Sequence, residues 1–143
     1  MLAIDLVEHL IDSLTFFSEV RKRMKINGAF LVFTGDTDSF SWRMFESLHW
    51  KCSLPEHIVF FNAASTSWVA EHSGFEIVAT EHISHQKFPF WLRLNQSLRV
   101  CIWRLAMLLA GVGVSPVRRW IMVRRAPYYS AAKDHLLVTL KTI

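Results

Sequence analysis

Met24-Lys25-Ile26-Asn27-Gly28-Ala29-Phe30-Leu31-Val32-Phe33-Thr34-Gly35-Asp36-Thr37-Asp38-Ser39 is the stretch from which the fold is read. Asn and Gly both tolerate positive φ, so Asn27-Gly28 stops a preceding helix. Ala29 to Thr34 is then a short apolar run without alternation, which predicts a parallel strand covered on both faces. Gly35 to Ser39 forms a polar loop at that strand's carboxyl end, the edge where open α/β sheets bind ligands. Helix, tight turn, buried strand and polar loop in this order predict an α/β fold.

Working outward, Asp12 and Ser13 are good caps for a helix running to about Lys25, with Phe16, Phe17, Val20 and Met24 at helical spacing and Arg21, Lys22 and Arg23 near its negative end. Downstream, the pattern predicts a short helix over 40–48, a helix from Ala64 to Ser73 closed by Gly74, a strand from Phe75 to Thr80 and a last strand from His135 to Lys141. An insertion, residues 84–132, lies between the last two strands and reads as two helices separated by Gly111-Val112-Gly113 and Ser115-Pro116. Its most hydrophobic part, Val100 to Val114, contains Arg104 and is shorter than the roughly 20 apolar residues that span a bilayer, so no transmembrane helix is expected.

The chain has 143 residues, enough for one domain with a real core, and 52% hydrophobic residues with eleven Phe and six Trp exclude a disordered chain. Cys52 and Cys101 stand far apart, outside any paired spacing, which suggests neither a disulfide framework nor a cysteine zinc site and fits a reducing cytoplasm. Asp5 and Glu8 fall where a signal peptide would carry a basic start and an uncharged apolar run, so no export signal is expected. The formal charge of +4 hides an asymmetry. No acidic residue lies between Glu81 and Asp134, whereas nine of the sixteen Lys and Arg do, so the basic character belongs to the insertion.

Asp5-Leu6-Val7-Glu8-His9-Leu10-Ile11-Asp12 resembles the "D-V-L-E-H-L-x-D" signature that follows the fourth strand of class I S-adenosylmethionine-dependent methyltransferases, particularly the branch related to ubiquinone-biosynthesis O-methyltransferases. Residues 24–32 are similar to that family's "L-K-P-G-G-x-L-V-I", and Thr34 to Ser39 to its "T-P-N-x-x-S" loop. Trp50 with Pro55-Glu56-His57-Ile58-Val59-Phe60-Phe61 resembles "W … P-E-H-L-x-x-F", and Ala70 to Val78 resembles "L-L-E-x-A-G-F-E-V". Asp134 to Val138 looks like the closing antiparallel strand. The matched blocks cover about Met1 to His82 and Asp134 to Lys141. Ile26-Asn27 replaces the usual Pro-Gly, and Asn still suits the turn.

The resemblance implies the C-terminal half of a Rossmann-like methyltransferase sheet, residues 1–143 as a partial domain, with a basic helical insertion over 84–132 before the last antiparallel strand. No strand in the sequence is followed by G-x-G-x-G, and no acidic residue closes a second strand to hold the cofactor ribose. The implied enzyme is therefore truncated, binds S-adenosylmethionine poorly alone and depends on an absent N-terminal half, a split partner or self-association. An exposed apolar edge at the family's central strand is expected. The acceptor would be a small molecule or a lipid.

The resemblance places Asp5 and Glu8 towards the methionine part of the cofactor and makes His9 and His57 candidates to take an acceptor proton. Glu8-His9 also reads as a helix-entry pair capping backbone groups, and Pro55-Glu56-His57 as a structural turn. His82 and His85 have an i, i+3 spacing but lack a third ligand, so no metal is expected. The arginines of the insertion read as the solvated face of helices covering the sheet, or as a cap resting on anionic lipid with Trp91, Trp103 and Trp120 at the interface. Nucleic-acid binding has only undirected basic charge behind it. A non-enzymatic module that binds a membrane or partner is the alternative to the enzyme. The location expected is cytoplasmic, with peripheral membrane attachment on the second reading of the arginines.

Overall fold

A computed structural model describes residues 1–46, 49, 51–52, 55–84, 89–124, 127 and 133–143. Trp50, His85, Lys87 and Arg125 lie outside the described residues. The chain is a mixed α/β structure built on one four-stranded sheet, ordered β1-β2-β4-β3. Strand β1 is Leu2–Ile4, β2 is Ala29–Gly35, β3 is Phe75–Ile83 and β4 is His135–Thr142. β1 runs parallel to β2, and β4 lies antiparallel between β2 and β3.

Helix α1, Ser13–Arg23, starts where Asp12 accepts the backbone N–H of Thr15 at 2.9 Å, the usual way a short acceptor side chain satisfies an orphan donor. Its end is the turn anticipated at Asn27, which takes φ 62. Gly28 is needed for a different reason: a Cβ there would sit 2.8 Å from the Lys25 carbonyl oxygen. The helix stops two residues earlier than its apolar spacing suggests, because Met24 is already extended.

β2 departs from the expectation of a strand covered on both faces. Its burial alternates, with Phe30, Val32 and Thr34 buried and their neighbours only partly so. The buried face joins Phe17 and Phe75 in an aromatic cluster whose rings meet edge-on or tilted, Phe17 to Phe30 at 5.4 Å and Phe30 to Phe75 at 5.7 Å between centroids. Such geometry suits ring quadrupoles and adds to the area buried. Helix α3, Ala63–His72, closes over this core, held at its start by reciprocal hydrogen bonds between Asn62 and Ser65. β1 occupies the sheet edge with Leu2 and Ile4 exposed and Ala3 buried, the apolar edge that was expected.

The insertion forms two helices, α4 over Phe90–Gly111 and α5 over Ser115–Met122. Among the described residues they do not pack on the sheet's core. Val100, Trp103 and Ile121 instead pack with Phe45 of α2, Phe40–Phe45, in a second cluster separate from the sheet's core. Trp103 is thereby buried and cannot lie at a lipid interface, whereas Trp91 is exposed. No described helix is long and apolar enough to cross a membrane.

Candidate functional site

The carboxyl ends of β1 and β2 lie side by side, and the chain leaving β1 turns sharply. Asp5 adopts φ 44, a left-handed conformation that Asp tolerates better than most residues, while its N–H donates to the Phe33 carbonyl at 3.0 Å. Val7–His9 follow as one 3-10 turn, which drives Glu8 inward and leaves His9 exposed.

His57 reaches the same place from far along the sequence. The backbone N–H groups of Ile58 and Val59 both donate to the Glu8 carbonyl, at 3.0 and 3.1 Å, and pin the 55–61 segment against the turn. His9 Nδ1 bonds the Glu56 carbonyl; since a carbonyl only accepts, Nδ1 carries the proton. The His9 and His57 rings are 4.8 Å apart between centroids. The structure thus brings Glu8, His9 and His57 together, while Asp5 stands at the root of the turn.

Glu8 is not a capping residue. It is only 4% exposed, its Oε2 accepts the Thr34 hydroxyl at 2.8 Å, and its Oε1 is buried with no hydrogen-bond partner among the described residues. A buried carboxylate oxygen without a partner is costly, so Oε1 is an acceptor that a cation or a hydrogen-bond donor would satisfy. One donor atom each from Glu8, His9 and His57 lie within 4.8 Å of one another, a set of oxygen and imidazole nitrogen donors that suits a divalent cation. From sequence, the His82 and His85 spacing lacks a third ligand and no metal is expected. His82 Nδ1 lies 3.1 Å from Asp36 Oδ2, and its companion His85 is outside the described residues.

Beneath the edge lies a buried polar cluster that spacing did not reveal. Lys51 is buried and borders the same small pocket as Glu8 and His57. Its Nζ donates to His135 Nε2 at 2.8 Å, and His135 Nδ1 donates to Asp134 Oδ1 at 2.8 Å. Because an ammonium can only donate, the imidazole accepts at Nε2 and carries its own proton at Nδ1. Burial pushes the Lys51 ammonium down from the ordinary lysine range, opposed by the charges of Glu8, Asp5 and Asp134. Gly35 leaves room for this lysine: a Cβ there would stand 2.9 Å from Nζ.

His49 supports Lys51 from the other side. Its Nδ1 accepts the Lys51 backbone N–H at 3.2 Å, its Nε2 donates to Ser41 Oγ at 3.2 Å, and its ring stacks on Trp42 at 4.3 Å. Desolvation holds its pKa down at about 4, below the usual 6.5, with Lys51 adding to the depression and Asp134 opposing it.

Compared with models of known protein families and with curated proteins, the chain matches none. The Glu8 carboxylate, two imidazoles and a buried ammonium meet at one sheet edge, an arrangement able to accept hydrogen bonds from a cationic ligand, to hold a cation and to take up a proton.

Proposed function

We propose that the chain carries the acceptor-facing half of a Rossmann-like, S-adenosylmethionine-dependent methyltransferase, with the glycine-rich cofactor turn supplied from outside these 143 residues. The observation that carries this reading is the convergence of Glu8, His9 and His57, with Asp5 at the root of the turn, at the carboxyl end of parallel strand β1, where the order of the resembling blocks expects the methionine part of the cofactor and the acceptor. The antiparallel β4 between β2 and β3 also supports it.

When bound, S-adenosylmethionine would supply a sulfonium methyl group that an acceptor takes by direct displacement, with S-adenosylhomocysteine leaving as the neutral thioether. The donor set fits that ligand: Asp5 and the unpartnered Oε1 of Glu8 are acceptors suited to an ammonium group. His57, at the pocket beside Glu8 and Lys51, is placed to take the acceptor's proton, and His9 offers its Nε2 for the same task because Nδ1 is engaged. The side chains position the acceptor and receive its proton, which is most of what such a displacement asks of the protein.

The clustering of donor atoms favours a second role for the same residues. A divalent cation held by Glu8, His9 and His57 would orient an acceptor hydroxyl and make it more acidic. Both roles are tested by transfer of radiolabelled methyl from S-adenosylmethionine to a panel of phenols, sugars, small acids and lipids, with and without Zn²⁺ or Mn²⁺. Label appearing on an acceptor, and lost in His57→Ala, supports the reading. Label unchanged in His57→Ala and Glu8→Gln, or none with any acceptor even when an upstream cofactor half is supplied in trans, counts against it.

A further inference from the structure

The second helical layer carries a surface that methyl transfer does not use. Along α4, Trp91, Leu94, Leu98, Ile102, Leu105 and Leu108 recur at three- and four-residue steps and, with Val112 at the helix's C-cap, are all exposed, Trp91 at 76% and Leu108 at 66%. At about 100° per residue these positions fall on one face and run the helix's length, about 30 Å. This is not the core face. Val100 and Trp103, on the opposite side, are the buried positions that meet Phe45 and Ile121.

Continuous exposed apolar stripes of this size mark interaction surfaces. The charges around this one identify the partner. On the same helical wheel, Arg93 and Arg104 flank the stripe on one side and Arg99 on the other, all exposed. Arg118, Arg119 and Arg124 of the following helix and its end are exposed too, and no acidic residue occurs anywhere from 82 to 133. A second copy docking through the same stripe would bring arginine against arginine with no carboxylate to meet it. An apolar face edged by cations alone matches a bilayer surface, where leucines enter the acyl boundary and arginine stems reach back to anionic head groups.

We propose that α4 lies in the plane of an anionic membrane surface, its Trp91-to-Val112 stripe sunk into the head-group boundary and its flanking arginines on lipid phosphates. Three arginines within α4 keep it from crossing the bilayer. This inference stands independently of the methyltransferase reading, since it uses none of the residues at the sheet edge.

The test is co-sedimentation of the full chain with phosphatidylcholine vesicles, with and without phosphatidylglycerol, over a range of salt. Binding that requires phosphatidylglycerol and weakens with salt is expected. Leu98→Gln combined with Leu105→Gln should lower the partition coefficient roughly tenfold or more, the scale of losing two buried leucines. Arg93→Gln combined with Arg99→Gln should lower it about fivefold per charge and flatten the salt dependence. All four side chains are exposed, so circular dichroism should show an unchanged fold. No sedimentation, equal binding to phosphatidylcholine alone, or full binding by the leucine variant would overturn the proposal. So would a lipid-free dimer that the leucine variant abolishes, which would make the stripe a self-association face.

Discussion

His49→Gln separates burial from bonding at the base of the site. Gln keeps one donor for Ser41 and one acceptor for the Lys51 N–H but cannot take up a proton, so it removes the titration while retaining most of the hydrogen bonding. In the folded chain His49 stays neutral down to about pH 4, whereas in the unfolded chain it protonates near 6.5. Between those values the unfolded state binds the extra proton. His49 therefore contributes stability that is full above pH 6.5 and is lost as pH falls towards 4. The gap is worth roughly 3 kcal/mol across the whole window, of which about 2 kcal/mol is gone by pH 5. At pH 7 the variant should be less stable than the wild type by about 1–2 kcal/mol, from lost stacking on Trp42 and a poorer fit. By pH 5 that deficit should close or reverse. Urea unfolding of both proteins, followed by circular dichroism at half-unit pH steps, reads the difference directly. A deficit that stays constant from pH 7 to pH 5 would refute the claim that a buried neutral imidazole supports Lys51.

Three further substitutions probe the site and the core. Saturating Zn²⁺ or Mn²⁺ should raise the thermal midpoint of the wild type, by mass action on the folded state, and should fail to raise that of Glu8→Gln; equal shifts would remove Glu8 as a ligand. Thr34→Val keeps the shape of the side chain but takes away the hydroxyl that meets the Glu8 carboxylate, and should cost about 1.5–3 kcal/mol in denaturant unfolding. Phe17→Ala empties the centre of the Phe17, Phe30 and Phe75 cluster and should cost about 3–5 kcal/mol; a loss below 1 kcal/mol would show that α1 does not depend on that cluster.

Local chemistry was the legible part of the fold. Asp12 caps α1, Asn27 takes the left-handed turn, and β2 and β4 fall where their apolar runs lie, because each feature depends on a few neighbouring residues. β3 outruns its apolar run: Glu81 and His82 extend it only because they face Leu137 and Leu136 of β4 across the ladder. The insertion misled for a related reason. Both faces of α4 are apolar, so periodicity could not say whether Trp103 or Leu105 turns inward, and the packing of Phe45 decides it.

The site was half legible. Glu8, His9 and His57 were singled out one by one, but their convergence depends on two backbone hydrogen bonds from Ile58 and Val59 to Glu8, which side-chain pattern does not encode. Lys51 and His135, 84 positions apart, gave no signal at all, since a lone lysine and a histidine at a strand's start are ordinary on a surface. The signal that could have drawn attention to Lys51 is Gly35, a glycine at the end of a buried strand, which often marks the close approach of another group.

The proposal that the carboxyl edge of β1 and β2 faces the methionine part of S-adenosylmethionine is tested by titrating S-adenosylmethionine and S-adenosylhomocysteine into the isotope-labelled chain and following backbone amide resonances. Weak binding, confined to the amides of Asp5 to His9 and Gly35 to Ser39 and lost in a chain carrying Asp5→Asn and Glu8→Gln, is the predicted result. A spectrum unmoved at millimolar ligand, or shifts spread over α4 and α5 instead, would contradict it.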